Sequence, residues 1–287
     1  MTYRTHCFMK WKTTQRTISL DRPLVMAILN VTPDSFSDGG EHLSVDNALR
    51  RAEKMIDEGA DIVDIGGEST RPGSNPVAAD DESRRVVPVI AAIAKRFDIP
   101  ISVDTTKAEV AEKAVDVGAE IINDISGLRW DLGIADVTAK AGAGLVLMHS
   151  RGTFETMHTQ PPVEDILAEV AMDFQRAIDI ATFHGVKNEQ IVLDVGIGFG
   201  KTQEQNLELL AKLGKLVSEF EQYPMLAGAS RKSFIGKILG DVPPSERLEG
   251  SLAAALIAVR NGAKIIRVHD VKETVAAIKM ATAINAV

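Results

Sequence analysis

The sequence has a single cysteine, Cys7, which excludes an internal disulfide and a cysteine-built metal cluster. It also lacks a basic tract. Its 32 Lys and Arg stand against 40 Asp and Glu, and the formal net charge of −8 argues against a nucleic-acid footprint or an anionic-membrane patch. No run approaches the roughly 20 apolar residues of a membrane-spanning helix, and even the alanine-rich stretch 251–259 is short and flanked by charge. The start shows no charged, apolar and small-residue arrangement of a signal peptide, so a soluble protein in a reducing cytoplasm is expected. No Pro- or Ser-rich linker divides the chain, which points to one domain. What remains is a chain of 287 residues, 45% hydrophobic, able to bury a large core and suited to small-molecule chemistry.

Short β-branched runs alternate with longer helical patterns, the mark of repeated βα units on a parallel sheet. Eight runs are nearly continuous in apolar residues, as strands buried on both faces must be: 24–30, 61–65, 99–104, 121–125, 144–149, 191–194, 225–229 and 264–269. Helices are expected over 45–58, 80–95, 107–117, 132–140, 163–184, 205–213, 247–261 and 271–284. Gly59, Gly118, Gly142 and Gly262 each precede an alanine at a step from helix to strand and suit left-handed helix stops. Eight units in about 250 residues imply the α/β class and a single (β/α)₈ barrel of the TIM type over 23–287. Residues 1–22 form an N-terminal extension, expected to be a hairpin that closes the barrel bottom.

Active sites of such barrels form at the carboxyl ends of the strands. There the sequence is repeatedly polar: Asn30, Asp104, Asn123 with Asp124, His149, Asp194, Ser230-Arg231-Lys232, and Arg267 with His269. Apolar strands that finish on carboxylates, such as those ending at Asp104 and Asp194, must supply each charge with a hydrogen-bonding or cationic partner. In Arg267-Val268-His269 the strand period of two places the guanidinium and the imidazole on one face. With Lys232 they compose a site for a phosphate or diphosphate.

Six motifs resemble those of the dihydropteroate synthases. They are LNVTPDSFSDGG at 29–40, DIGGESTRPG at 64–73, SVDT at 102–105, INDISG at 122–127, SRKSF at 230–234 and RVH at 267–269. The resemblance runs from about Leu24 nearly to the end, and the glycine-rich GIGFG at 196–200 adds little by itself. It implies condensation of (7,8-dihydropterin-6-yl)methyl diphosphate with 4-aminobenzoate, giving 7,8-dihydropteroate and diphosphate for folate synthesis. It also implies pterin recognition by Asp104, Asn123, Asp194 and Lys232, with Met148 flanking the pterin plane. By the same resemblance, Asn30, Thr70, Arg267 and His269 take the diphosphate, with Mg²⁺ held through Asn30 and phosphate oxygens, a sparse protein ligation that suits magnesium. Thr70, Arg71 and Pro72, with Phe199 and Ser233, then shape the 4-aminobenzoate site, which sulfonamides would share. The implied mechanism loses diphosphate first, stabilised by Lys232, Arg267, His269 and the metal, while Asp38 on the first loop faces the cationic carbon. His149, Asp64, Glu68 and Asp124 are read as structural braces.

The chain departs from the family pattern at Val195, where Pro commonly follows the strand-ending Asp, and at Ser150-Arg151-Gly152 in place of Met-Gln-Gly. Neither removes an implied ligand, although the valine frees a backbone N–H and Arg151 adds a charge near the site. Two other readings remain open here: a methyltetrahydrofolate–corrinoid methyltransferase, and a noncatalytic pterin-binding protein. The first leaves the STRPG, SRKSF and RVH segments unused, and the second predicts a damaged anion site. A homodimer is implied, with the helix over 251–259 as its candidate interface.

Overall fold

A computed structural model describes residues 9–32 and 41–285; Asp38 lies outside them. Eight parallel strands close a barrel in the order β10-β3-β4-β5-β6-β7-β8-β9. They are β3 (Leu24–Asn30), β4 (Ile62–Gly66), β5 (Ile101–Asp104), β6 (Ile121–Asp124), β7 (Gly144–Met148), β8 (Ile191–Asp194), β9 (Met225–Ala227) and β10 (Ile265–Val268). All eight expected strands form, each within a few residues of its expected limits. Around them run α1 (Glu41–Asp57), α2 (Ala79–Arg96), α3 (Ala108–Asp116), α4 (Gly133–Ala141), α5 (Ile166–Phe183), α6 (Gln203–Glu219), α7 (Ser233–Ile238), α8 (Leu248–Arg260) and α9 (Val271–Asn285). This is an α/β TIM barrel. Among the described residues no helix is long and apolar enough to cross a membrane.

The helices differ from the sequence expectation where capping outweighs periodicity. α5 starts at Ile166 and not at Val163, because the Asp165 carboxylate accepts the N–H groups of Leu167 and Ala168 at 3.0 Å. α6 begins at a reciprocal Thr202–Gln205 cap and continues six residues past the expected Leu213, passing through Gly214. The six-residue α7 was not anticipated; it is too short to show a helical period. The four expected glycine stops all have positive φ, for example 68° at Gly142.

Two apolar systems hold the barrel. Outward strand residues such as Val25, Val63, Val103 and Leu145 pack against the helices in one large cluster. Inward residues at the amino ends of the strands, among them Met26, Ile62, Ile121, Val192 and Ile265, form a second cluster with Trp11 and Leu20. Trp11 comes from an antiparallel hairpin, β1 (Lys10–Lys12) and β2 (Thr17–Ser19), which covers this end of the lumen. Its indole is fully buried and donates to the Gln190 carbonyl at 2.7 Å. Gly144 at the start of β7 makes the space, since a Cβ there would lie 3.0 Å from the indole ring. The hairpin is also tied by charge: Glu120, ahead of β6, accepts from Thr13 at 2.7 Å and pairs with Arg16 at 2.8 Å.

Trp11→Ala removes this plug and leaves the Gln190 carbonyl unpaired. Unfolding in denaturant is expected to show a loss of about 3–5 kcal/mol, the usual cost of truncating a large buried aromatic. A loss below about 1 kcal/mol would mean that the hairpin is dispensable to the barrel.

Candidate active site

The strand period of two that builds the lower lumen also builds the site. Ile62, Ile121, Val192 and Ile265 face inward in the apolar layer, so the residues two further along face inward as well. These are Asp64, Asn123, Asp194 and Arg267. Strand register places Asp104 beside both Gly66 and Asn123, and Asn30 beside Gly66, on the same inward level. A Cβ on Gly66 would lie 3.7 Å from both Asn30 Oδ1 and Asp104 Oδ2, so these two groups flank one point of the lumen. The apolar lower half thus gives way within one strand period to a ring of carboxylates, amides and cations.

Arg267 occupies the centre of this ring. Its Nε donates to Asp64 Oδ2 and its Nη2 to Asp104 Oδ2, both at 2.6 Å. Asp64 Oδ2 also accepts Asn123 Nδ2 at 3.1 Å. Burial opposes the charge of Arg267, but Asp64 and Asp104 outweigh it and raise its pKa further. Asp104 behaves differently. Burial and the nearby carboxylates Asp64, Glu82 and Glu68 exceed the pull of Arg267 and push it up to about 7. Asp194 is also raised by burial, against the Gly196 N–H that its Oδ1 accepts at 2.8 Å and the charges of Lys232, Arg267 and Lys201.

Lys232 reaches the ring from the loop after β9. Arg231 adopts a left-handed φ of 57°, turning its own side chain away to Asp270 while Lys232 follows as the residue that opens α7. Burial and Arg267 lower Lys232 to about 8, with Asp194 and Asp104 opposing. Its Nζ lies 4.0 Å from the centroid of the Phe199 ring. Gly198, at φ 85°, lets the loop pass this lysine, since a Cβ there would lie 2.9 Å from Lys232 Cδ. His269 also faces the site. Burial and the charges of Arg267 and Arg231 lower it to about 3, so it is neutral near pH 7. Ser230 Oγ accepts the His269 backbone N–H and lies 3.1 Å from its Nδ1. The hydroxyl can donate to Nδ1 in the tautomer that carries the imidazole proton on Nε2.

Met148 pairs in register with Asp194 and faces the lumen, whereas several other residues singled out from sequence are placed apart from it. Asp124 and His149 follow inward residues and so face outward. Asp124 braces the turn beyond β6, accepting from Ser126 N at 2.8 Å and Leu128 N at 2.7 Å, and burial raises it to about 6. His149 is fully buried, its ring has no hydrogen-bond partner among the described residues, and burial and nearby cations lower its pKa well below the usual value. The polar rim seen in the sequence therefore loses these two members and Arg231. Glu68 is a brace, accepting Val77 N at 2.5 Å and pairing with Lys107 at 3.0 Å. Arg71, Pro72 and Ser233 are exposed, Thr70 is half-buried, and Met148 and Phe199 share a small apolar cluster with Ile125 and Met157. Val195 is buried in the outer core, and Arg151 donates to the Pro161 and Gly200 carbonyls at 2.6 and 3.3 Å.

Three participants escaped the sequence reading. Lys107 joins Glu68 to the buried Glu82 at 2.6 Å. Lys201 donates to the carbonyls of Gly196, Phe199 and His149 at 2.8, 3.0 and 3.3 Å, and burial lowers it to about 7. His158 reaches Thr70 from a distant loop. Lys201 directly follows the glycine-rich segment, a usable signal; the other two carry none.

A family model described as pterin binding enzyme matches residues 26–269. The chain is 50% identical over 268 residues to the dihydropteroate synthase of Escherichia coli K12, covering 93% of each. It superposes on the Xanthomonas albilineans dihydropteroate synthase solved with 4-aminobenzoic acid with a TM-score of 0.91, at 43% identity and over 98% and 99% of the two chains. For the Burkholderia cenocepacia dihydropteroate synthase complexed with 7,8-dihydropteroate, the TM-score is 0.87 at 41% identity over 97% of each. Fold, lumen chemistry and near-full-length similarity agree: the chain belongs to the pterin-binding enzymes and, within them, to the dihydropteroate synthases.

Proposed function

We propose that the chain condenses (7,8-dihydropterin-6-yl)methyl diphosphate with 4-aminobenzoate, and that the lumen ring divides the task between its two sides. The observation that carries this reading is Lys232, whose Nζ lies 4.0 Å from the Phe199 centroid and which feels the carboxylates Asp194 and Asp104 as well as the cation Arg267. On one side are groups for a pterin edge. Asp194 keeps Oδ2 free because Oδ1 holds the Gly196 N–H, and Asn123 keeps its carbonyl free because its amide serves Asp64. Asp104, near 7, offers either a proton or a lone pair to a ring that presents both donors and acceptors. Met148 supplies an apolar flank for the ring.

On the other side Lys232, His269 Nε2–H, Thr70 and Asn30 face the diphosphate, with Arg267 contributing charge from beneath. In the reaction the bond between the pterin methylene carbon and the diphosphate oxygen breaks and its electron pair leaves with the oxygen. The amine lone pair of 4-aminobenzoate forms the new C–N bond, and the displaced N–H proton passes to diphosphate or solvent. Lys232 and His269 stabilise the charge on the leaving group, and Asp38 is proposed to face the positive carbon. Among the described residues no cluster of three His, Cys, Asp or Glu could hold a metal. A single inward amide oxygen at Asn30 fits Mg²⁺ that arrives on the diphosphate and neutralises part of its charge. Thr70, Arg71 and Pro72 of the second loop, with Phe199 and Ser233, receive 4-aminobenzoate. The methyltransferase and noncatalytic readings lose their support, since the anion side is intact and the relatives are synthases.

Purified protein with Mg²⁺ is expected to form 7,8-dihydropteroate from the two substrates, to stop on chelation, and to be inhibited by a sulfonamide competitively with 4-aminobenzoate alone. Lys232→Ala should lower kcat/KM by about 100–1000-fold, the range for losing one preplaced donor. Folded protein without product, or a fully active variant, would refute the assignment. Lys232 also sets a pH limit. The free enzyme carries its charge below about pH 8 and loses it above, so kcat/KM for the pterin diphosphate should fall toward tenfold per pH unit above 8. A variant lacking Lys232 should not show that limb; if it does, another group titrates.

A homodimer is proposed as well, with a corrected surface. α8 turns Ser251, Ala254, Ala255 and Ala258 inward, so the alanine stripe is core. On α8 and α9 the exposed large apolar side chains are Ile257, Met280 and Ile284. Sedimentation at micromolar concentration should give twice the chain mass, and Ile257→Glu with Met280→Glu should give monomer; a monomeric parent protein would end the proposal.

A further inference from the structure

The loop between β7 and α5 has no part in the assignments above, yet it enters the site through His158. The His158 Nε2 lies 2.7 Å from the carbonyl oxygen of Thr70, 88 residues away in sequence. A carbonyl only accepts, so Nε2 carries a hydrogen and donates it. The same imidazole stacks on Phe199, with 5.7 Å between centroids and 28° between planes. Phe199 in turn carries Lys232 Nζ at 4.0 Å from its centroid. One imidazole therefore connects the second loop to the aromatic ring that contacts the central lysine.

The second loop needs such a connection. Its two ends are fixed, by Arg85 on the Gly67 carbonyl at 2.8 Å and by Glu68 on Val77 N at 2.5 Å. Within the tip, Ser74 Oγ donates to Ser69 Oγ at 2.9 Å, a contact that shapes the loop without attaching it to the barrel. The His158 bond attaches it. We propose that His158 is a positioning residue for the second substrate: it holds Thr70 in register with the Phe199 ring and so sets the slot that receives the aromatic ring of 4-aminobenzoate. This rests on the assignment of Thr70, Arg71, Pro72, Phe199 and Ser233 to that substrate. His158 bonds the Thr70 backbone carbonyl and stacks on the Phe199 ring, so its effect falls mainly on the second substrate, with a smaller effect on the diphosphate that Thr70 also faces.

The test is steady-state kinetics on three variants and one control. His158→Ala loses both the donor and the stack, and its KM for 4-aminobenzoate should rise about 10–30-fold. KM for the pterin diphosphate, whose leaving group Thr70 also faces, should rise by no more than about threefold, and the inhibition constant of a sulfonamide should rise in parallel with the first. His158→Gln keeps a donor for Thr70 and His158→Phe keeps a ring for Phe199, so each should recover part of the loss. These two carry the same comparison if the alanine variant fails to fold. Equal changes in both KM values, or a fall in melting temperature without a split between them, would overturn the proposal. Arg71→Ala is the control. If it raises KM for 4-aminobenzoate and His158→Ala does not, the positioning role falls while the subsite stands; if neither does, the subsite assignment itself fails.

Discussion

The hub of the structure is the Arg267 guanidinium, which binds Asp64 and Asp104 across the lumen at 2.6 Å each. It links three strands, β10, β4 and β5, at the level where the barrel interior changes from apolar to polar. Two carboxylates at that depth are tolerable only with a cation between them, and removing one partner of such a buried group typically costs about 3–5 kcal/mol. The planar fork also orders its neighbours. With Asp64 fixed by Nε, Asn123 turns its amide to the same oxygen and presents its carbonyl to the lumen. The acceptor proposed for the pterin edge is thus a consequence of how the charge is held.

The clamp does not neutralise its surroundings completely. Glu82 and Glu68 lie near Asp104 and among the described residues form ion pairs with Lys107 alone, and the excess of negative charge is felt at Asp104. Asp64 Oδ1 and Ser102 Oγ are buried without a hydrogen-bond partner among the described residues. Each such group costs about 1–3 kcal/mol. The barrel bears that cost because its lower half, sealed by Trp11, is an apolar layer apart from Ser102 on β5. Stability and site are in this way separate ends of the same eight strands, as the strand alternation requires.

The alternation was legible in the sequence, and with it the eight strands, the polar strand ends and the shared face of Arg267 and His269. The identities of partners were not. Arg267 meets Asp64 over 203 residues of sequence, and nothing local distinguishes an arginine that faces ligand from one held by two carboxylates. Asp124 and His149 stood at strand ends but one residue out of phase with the lumen, where the same period of two sends a side chain to the helices. Arg231 was misleading for a backbone reason, a left-handed φ in a non-glycine residue. His158 gave no signal, since its role depends on two loops meeting in space.

The segment Gly196-Ile197-Gly198-Phe199-Gly200, weak as a motif, is tightly constrained by its neighbours. Gly196 lies so close to the His149 carbonyl that a Cβ would be 1.9 Å from its oxygen, and no other residue fits. The loop that results turns the Gly196 and Phe199 carbonyl oxygens toward the point that the His149 carbonyl also faces, and Lys201 fills it. Three partial negative charges justify burying an ammonium group, but incompletely, since burial still lowers Lys201 to about 7. The lysine is therefore held at a cost, and what that cost secures is the placement of Phe199 between Lys232 and His158. A glycine-rich stretch that reads in isolation as a flexible turn is here among the most constrained parts of the site, because its flexibility is taken up by contacts that only small residues permit.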